Sequence, residues 1–213
     1  NDQDGKSGHV ALPVIRDGRL VAARFRDISE ARLAREHPTG DMRDFWVFGY
    51  GSLMWNPGFE TVERRPAVMR GIHRALCVHS WVHRGTQEMP GLVLGLDRGG
   101  SCRGLALKVE ARQRDSVISY LRERELVTSV YLERWRPARL DTGEAVEALA
   151  YVVDRSHVQY AGRLSDAEIA GIVAERAGRS GRNIDYLVNT VTHLRESGVH
   201  DPHLESVMAQ LGV

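Results

Sequence analysis

The acidic residue Glu125 stands where helical periodicity places a side chain on an apolar face. In the stretch DSVISYLRERELV, that face is marked by Val117, Ile118 and Leu121. At about 100° per residue, Glu125 falls within roughly 35° of the centre of the face. Burial disfavours the charged form of a carboxyl group and raises its pKa toward neutrality, where the group can transfer protons. Glu125 is therefore a candidate general acid/base.

Arg122 and Arg124 offer a purely structural alternative for this carboxylate. Either guanidinium can form a salt bridge with Glu125, and a paired carboxylate at a helix end needs no catalytic role. Glu123 falls nearly opposite the apolar face and is expected to face solvent. Periodicity alone leaves both interpretations of Glu125 open.

A second candidate for chemistry is the stretch VFGYGSLMW, which breaks an apolar run with two glycines and a serine. Glycine has no side chain, so the backbone of this segment can approach a ligand closely. Successive backbone N–H groups can bind an anion, here those of Gly51, Ser52 and Leu53. The Tyr50 hydroxyl adds a hydrogen-bond donor. The segment is a candidate substrate cradle, and the alternative is a tight turn between two strands.

Three further side chains are candidates for substrate binding, and each has an ordinary structural alternative. Tyr131 can donate a hydrogen bond from its hydroxyl, or it can be a half-buried tyrosine of a strand. Arg74 and Arg84 can each bind a carboxylate of a substrate. The alternative for both arginines is an ion pair at the surface or at the edge of the core.

A rival interpretation is a metal-dependent hydrolase. His73, His79 and His83 are separated by even numbers, so on one continuous strand their side chains would share a face. No carboxylate shares that parity, and side chains two residues apart on a strand rarely all reach one ion. A nucleophile is not favoured either, because the segment around Ser52 is not a Gly-x-Ser-x-Gly elbow and Cys77 is typical of a buried thiol. We therefore expect no metal site.

The elements that must position these residues change in character along the chain. Residues 45–109 are rich in strand formers, and a helix is predicted from about residue 110 to residue 126. Two strands follow, in VYLERWRPARL and AVEALAYVV. The last 50 residues are amphipathic helices with clear start and stop signals. This order predicts an α+β fold with a small, mostly antiparallel β-barrel or sheet and packed helices.

One local prediction concerns the stretch GLVLGLDRGGSCRGLALKV. Its apolar ends predict two strands, Leu92–Leu96 and Gly104–Val109. Between them, residues 97–100 have the composition of a hairpin loop, because aspartate and glycine are favoured in turns.

The domain organisation follows from the change in character near residue 40. Residues 1–40 are predicted to form an N-terminal extension with a short amphipathic helix over residues 28–37. Residues 41–213 are predicted to form a single domain, which is an ordinary size for one hydrophobic core.

The overall composition argues against several classes of protein. The 213 residues carry a formal net charge of +1 without a concentrated Lys/Arg tract, so neither a nucleic acid nor a membrane is the expected partner. No apolar run approaches the roughly 20 residues of a spanning helix, and the first residues lack the pattern of a signal peptide. The two cysteines, Cys77 and Cys102, are too few for a disulfide scaffold, so we expect reduced thiols in the cytoplasm.

Ordered motifs over residues 45–153 resemble the ChaC family of γ-glutamylcyclotransferases. FGYGSLMW is similar to the family's Tyr-Gly-Ser-Leu loop, and YLRERELVTSVY is similar to its helix with Arg-Glu before a tyrosine. RGIHRALC and RGTQEMPGLVLGLDRGGSCRG follow the family pattern between them. The departures at Ile72, Ala75 and Gln87 affect the expected shape of the pocket. The resemblance continues more weakly through the terminal helices, and none is placed in residues 1–40.

The resemblance implies a reaction and assigns roles to the candidate residues. The free α-amine of a γ-glutamyl group attacks its own γ-carbonyl, which yields 5-oxoproline and, from glutathione, Cys-Gly. Because the nucleophile lies within this small-molecule substrate, the resemblance implies no cofactor. Glu125 would be the general acid/base, and substrate would be bound by Tyr50, Gly51, Ser52, Leu53, Tyr131 and Arg74. The alternative is a non-catalytic module that binds a γ-glutamyl ligand, although such a module would be expected to have lost Glu125.

Overall fold

The computed structural model describes residues 13–16, 19–22 and 43–213. The helix predicted over residues 28–37 lies outside these ranges. The chain divides into two units, residues 1–41 and residues 42–213. In the first unit, strands β1 (Pro13–Arg16) and β2 (Arg19–Ala22) pair antiparallel.

Five strands of the second unit close into a small barrel. They are β3 (Phe45–Gly49), β4 (Glu63–Ser80), β5 (Gly91–Val109), β6 (Tyr131–Leu140) and β7 (Ala145–Val153). Their order around the barrel is β3-β5-β4-β6-β7, and a parallel pairing of β7 with β3 closes it. The four other pairs of neighbours in this order are antiparallel. The predicted α+β fold with a mostly antiparallel barrel is confirmed.

Strands β4 and β5 are long and pair with each other over most of their length. The predicted turn at residues 97–100 is wrong, because β5 runs through this segment and pairs with β4 on both sides of it. Gly99 has a φ of +102° and Gly100 a φ of +65°, and the register with β4 shifts beside Arg70. Positive φ at two glycines here produces a bulge that redirects a continuous strand.

Four α-helices lie within residues 43–213. They are α1 (Arg114–Glu125), α2 (Asp166–Glu175), α3 (Asn183–Glu196) and α4 (Pro202–Leu211). A short ribbon of β8 (Ala177–Gly178) and β9 (Gly181–Arg182) connects α2 to α3. In the described part of the chain, no helix has the length and apolar character needed to cross a membrane.

Helix α1 packs its apolar face on the outside of the barrel. Val117 and Leu121 are buried there in one cluster with Val47, Leu53 and Leu107. Burying each such side chain stabilises the fold by about 1.5–3 kcal/mol relative to leaving it exposed. The same packing fixes the direction of the helix, so its last turn ends beside the loop that follows β3.

Candidate active site

A cavity of about 110 Å³ opens where the end of α1 meets this loop. Its lining comes from the loop after β3, from β5, from the last residue of α1, from the first residue of β6 and from α3. The lining residues are Tyr50, Gly51, Ser52, Leu53, Val93, Leu94, Glu125, Tyr131 and Tyr186. The structure therefore brings together every predicted site residue except Arg74.

The loop after β3 folds back onto the end of its own strand as a short 3-10 helix, Ser52–Met54. A Cβ atom on Gly49 would lie 3.2 Å from the backbone nitrogen of Met54, so this tight reversal favours glycine. Met54 N–H donates to the carbonyl of Gly51 at 2.8 Å, which closes the turn. Leu53 is buried and anchors the loop in the core. The segment is therefore both a turn and a wall of the cavity.

Glu125 is the last residue of α1 and reaches the cavity with a side chain that is 18% exposed. Burial raises the pKa of its carboxyl group above the ordinary value. Arg124, whose Nε lies 3.2 Å from Glu125 Oε1, acts in the opposite direction and does not cancel the effect of burial. A half-buried carboxyl with a raised pKa is suited to exchanging a proton near neutral pH.

Arg124 joins the cavity loop to the end of α1. Its Nη2 donates to the hydroxyl of Ser52 at 2.8 Å, and its Nη1 donates to the carbonyl of Asn56 at 2.9 Å. Nη1 also lies 3.0 Å from the hydroxyl of Tyr120, one turn earlier on the helix. One guanidinium thus contacts both the loop and the acid.

Arg122, the other arginine considered as a partner of Glu125, pairs with a different residue. Its Nε and Nη2 each donate to the carboxylate of Glu133 at 2.8 Å. This bidentate pair connects α1 to β6 and leaves Arg124 as the arginine that pairs with Glu125.

Three tyrosine side chains form the opposite wall of the cavity around Leu94. The hydroxyl of Tyr131 donates to the carbonyl of Leu94 at 2.7 Å, and the hydroxyl of Tyr186 accepts from its N–H at 3.1 Å. Tyr50 lies close enough to Tyr131 to influence its pKa. Burial raises the pKa of all three hydroxyls, so they stay protonated and can donate hydrogen bonds at neutral pH.

Tyr186 is the site residue that the sequence analysis missed. It lies in α3, more than fifty residues after Tyr131, and its helix has the ordinary amphipathic pattern of a core helix. No local signal distinguishes a tyrosine that faces a cavity from one that only packs, because long-range packing against β5 decides the difference.

Arg74, the remaining residue predicted to bind substrate, lies outside the cavity lining. Its guanidinium is buried and meets three partners: Nε donates to the carbonyl of Tyr50 at 2.5 Å, Nη2 to the carbonyl of Arg103 at 2.6 Å, and Nη1 pairs with Asp201 at 2.6 Å. A buried cation needs such compensation. Arg74 therefore holds the start of the cavity loop in place.

Two of the three histidines of the rival metal hypothesis have separate side-chain partners. His73 Nδ1 lies 3.0 Å from the carbonyl of Gly99, whereas His83 lies beyond the end of β4 and contacts the hydroxyl of Ser180 at 2.9 Å. The register of β4 also shifts between Leu76 and Val78, which breaks the shared parity. Within the described ranges, no three His, Cys, Asp or Glu side chains are grouped so that they could hold a metal ion.

Comparison with known proteins gives matches over most of the chain. The family model described as ChaC-like protein matches residues 45–212. The glutathione-specific γ-glutamylcyclotransferase of Escherichia coli K12 is 32% identical over 201 residues, covering 94% of this chain and 86% of that protein. The glutathione-specific γ-glutamylcyclotransferase 1 of Danio rerio is 37% identical over 173 residues, covering 78% and 88%. The Escherichia coli match extends into residues 1–40, where the sequence analysis placed no resemblance.

A solved structure agrees with the architecture. The crystal structure of a γ-glutamyl cyclotransferase specific to glutathione from yeast matches with a TM-score of 0.70 at 20% identity. The match covers 79% of this chain and 98% of that chain. At this level of identity, the likeness shows that the two proteins share a fold.

Proposed function

This chain belongs to the ChaC-like family, and we propose that it cleaves glutathione into 5-oxoproline and Cys-Gly with Glu125 as the general acid/base. Relatives of this chain carry the name glutathione-specific γ-glutamylcyclotransferase in a bacterium and a fish. The observation that carries the assignment of residues is that Glu125 shares one cavity with the Tyr50–Leu53 loop. A carboxyl of raised pKa thereby lies beside backbone that can hold a substrate.

The loop holds the γ-glutamyl end of the substrate. The α-carboxylate is bound by the backbone N–H groups of Gly51, Ser52 and Leu53, since successive N–H groups form a concave site for anions. The hydrogen bonds that close the turn are donated by later residues, Met54 and Asn56. Fixing the α-carboxylate orients the amine toward its own γ-carbonyl, and such orientation accounts for much of the acceleration of an intramolecular reaction.

Glu125 moves the proton in both halves of the reaction. The substrate amine is mostly protonated at neutral pH, so the carboxylate of Glu125 first removes one proton from it. The amine nitrogen then bonds to the γ-carbonyl carbon, and the carbonyl electron pair moves onto oxygen. When the intermediate collapses, the bond to the cysteinyl nitrogen breaks and that nitrogen takes the proton from Glu125. The carboxylate then removes the extra proton from the ring nitrogen and passes it to the amine of Cys-Gly. The carboxylate is regenerated, and 5-oxoproline and Cys-Gly leave.

The Tyr50 hydroxyl stabilises the negative charge that develops on the γ-carbonyl oxygen, whereas the Tyr131 hydroxyl gives its one proton to the carbonyl of Leu94. Tyr50 and Tyr131 remain neutral because burial raises the pKa of each hydroxyl. A neutral hydroxyl in a buried site can donate a hydrogen bond to an oxyanion without first breaking hydrogen bonds to bulk water. Backbone contacts to Leu94 hold the Tyr131 ring in place before substrate arrives.

The cellular location is part of the same proposal. Cys77 and Cys102 are both free and buried, and burial raises the pKa of the Cys77 thiol to about 12. Unpaired thiols of this kind support the cytoplasm as the place of action, where glutathione is kept reduced.

The direct test is product analysis with reduced glutathione. We expect 5-oxoproline and Cys-Gly in equal amounts by mass spectrometry, in parallel samples with and without EDTA. Glu125→Gln keeps the shape of the side chain and removes its ability to take a proton, so we expect product to form roughly 10²- to 10⁴-fold more slowly. The matched control is Glu123→Gln, because Glu123 is exposed on the same last turn of α1.

Two outcomes would contradict this proposal. Turnover by Glu125→Gln at the wild-type rate would remove Glu125 from the mechanism. Intact glutathione after incubation with the wild-type protein would reject glutathione as the substrate, and a screen of other γ-glutamyl amines would follow.

A further inference from the structure

Glutathione carries two carboxylates, and the cavity loop accounts for one of them. The second lies on the glycyl residue, at the opposite end of the tripeptide from the α-carboxylate. The residues that line the cavity include one acid, Glu125, and neither lysine nor arginine. A cation that recognises the glycyl carboxylate must therefore lie outside the lining, beyond one of its walls.

Arg84 lies against one wall of this cavity. Its guanidinium carbon is 5.3 Å from the centre of the Tyr186 ring, within the range of a cation–π contact. The positive charge of Arg84 also lowers the pKa of Tyr186, against the larger effect of burial. Arg84 and the cavity are thus separated by no more than one aromatic ring.

The guanidinium of Arg84 is oriented by neutral partners. Its Nη1 donates to the carbonyl of Ser180 at 2.6 Å and to the carbonyl of Arg182 at 3.3 Å, both in the β8–β9 ribbon. Among the residues that the structure describes, no carboxylate pairs with Arg84. These bonds occupy one nitrogen, and a planar guanidinium has further N–H donors on its other edges.

Arg124, the other arginine close to the cavity, already has a carboxylate partner. It already pairs with Glu125, and it donates to oxygens of the loop and of Tyr120. A second anion at Arg124 would compete with the catalytic carboxylate. Arg84 is therefore the better place for a substrate carboxylate.

We propose that Arg84 binds the glycyl carboxylate of glutathione and thereby favours the tripeptide over shorter γ-glutamyl compounds. This inference rests on the proposed function and adds a specificity determinant to it. A planar guanidinium suits a carboxylate because it can donate two parallel hydrogen bonds. Arg84 would distinguish glutathione from γ-glutamylcysteine, and from glutathione whose glycyl carboxyl is an amide, because neither compound places a carboxylate at Arg84.

The test compares three substrates with wild type and Arg84→Gln: glutathione, γ-glutamylcysteine and glutathione with its glycyl carboxyl converted to an amide. For glutathione, we expect KM to rise roughly 10- to 100-fold in the variant, because losing a hydrogen bond between charged groups weakens binding by about that factor. For the other two substrates, we expect KM and kcat to stay near the wild-type values. Their turnover also reports that the variant is folded.

Two further variants sharpen the comparison. Arg182→Gln removes a positive charge from the β9 strand, and we expect it to leave the KM for glutathione unchanged. This control distinguishes a direct contact of Arg84 with the substrate from a general effect of positive charge near the cavity. Arg84→Lys keeps the charge without the planar fork, and we expect it to restore part of the affinity for glutathione.

A binding experiment keeps this inference separate from the proposed function. Calorimetric titration of Glu125→Gln with glutathione and with its glycine amide needs no turnover. We expect Glu125→Gln to bind glutathione more tightly than the glycine amide. In the double variant that also carries Arg84→Gln, we expect the two ligands to bind with equal affinity. Equal binding of both ligands before that change, or an unchanged difference after it, would overturn the role of Arg84. Preferential binding without turnover in the wild type would retain Arg84 and reject the catalytic proposal.

Discussion

Two cavities of the second unit each contain a carboxylate, and the two carboxylates have opposite electrostatic surroundings. The larger cavity, about 290 Å³, is lined in part by Asp97. Burial by itself raises the pKa of Asp97, but hydrogen bonds from Arg155, the backbone N–H of Arg98 and Tyr160 outweigh it and lower the pKa. The smaller cavity, about 110 Å³, contains Glu125, whose pKa is raised.

This difference shows that volume alone does not identify an active site. Asp97 has three strong donors around it, so its charge is compensated and its proton is not available near neutral pH. Glu125 has one ion pair with Arg124, and burial has the larger effect on its pKa. A carboxyl group that can exchange a proton is what catalysis by the proposed mechanism needs. The smaller cavity is therefore the better candidate.

The largest effect is expected from removing the acid of the smaller cavity. Glu125→Gln should lower kcat by roughly 10²- to 10⁴-fold, the usual contribution of a general acid/base. Its stability at pH 7 should match or exceed that of wild type. The folded-state pKa of Glu125 is raised above 4.5, so the wild type loses stability as the pH rises through that pKa, whereas glutamine carries no charge. Steady-state kinetics and urea unfolding measure both quantities, and a large loss of stability would indicate a structural role.

A second comparison uses one tyrosine from each region. Tyr50→Phe should lower kcat on the order of 100-fold, because it removes a donor from the oxyanion. Tyr160→Phe removes the hydroxyl that donates to Asp97 at 2.9 Å, and it should leave kcat within about twofold of wild type because it acts on stability alone. Equal kinetic effects of the two substitutions would remove the distinction between the cavities.

A third prediction concerns stability rather than rate. Asp97→Asn should lower the free energy of unfolding by about 1–3 kcal/mol at pH 7, since it leaves Arg155 and Tyr160 without a charged acceptor. The pKa of Asp97 is depressed, so its contribution is present above the ordinary value of 3.8 and is lost as the pH falls through the folded-state pKa. Urea unfolding at pH 7 and at acidic pH should show the difference from wild type shrinking. A difference that grows in acid would contradict the depressed pKa.

The smallest effect is a shift in a pH profile. Arg124→Gln removes the positive charge that opposes burial at Glu125, so the pKa of Glu125 should rise further and the acid limb of kcat should move to higher pH. Arg122→Gln is the matched control, because Arg122 pairs with Glu133 instead. The acid limb of that variant should stay where it is in wild type. An identical shift in both variants would point to a general electrostatic effect.

Much of the candidate site could be predicted from local sequence. Helical periodicity placed Glu125 on the buried face of α1, and the packing of Val117 and Leu121 agrees with it. The glycines of the loop after β3 indicated close approach of backbone, and Gly51 does line the cavity. These predictions agree with the structure because they depend on residues within about one turn of each other, where geometry is set by backbone periodicity.

Predictions that depended on distant partners were less secure. The glycine pair at Gly99 and Gly100 was expected to reverse the chain, but positive φ is compatible with a bulge as well as with a turn, and pairing with β4 decided between them. The pairing of Arg74 with Asp201, which lies 127 residues later, was not predicted from the sequence. Tyr186 gave no local signal at all.

By itself, the sequence determined the strand-rich character of residues 45–109, the position of Glu125 on its helix and the turn that presents Gly51 and Ser52. The tertiary structure alone decided which arginine faces which acid: Arg124 meets Glu125, whereas Arg155 meets Asp97. The reason is physical, because the pKa of a buried carboxyl depends on donors and charges within a few ångströms in space. Positions along the sequence do not reveal those distances, because they are set only when the strands and helices pack together.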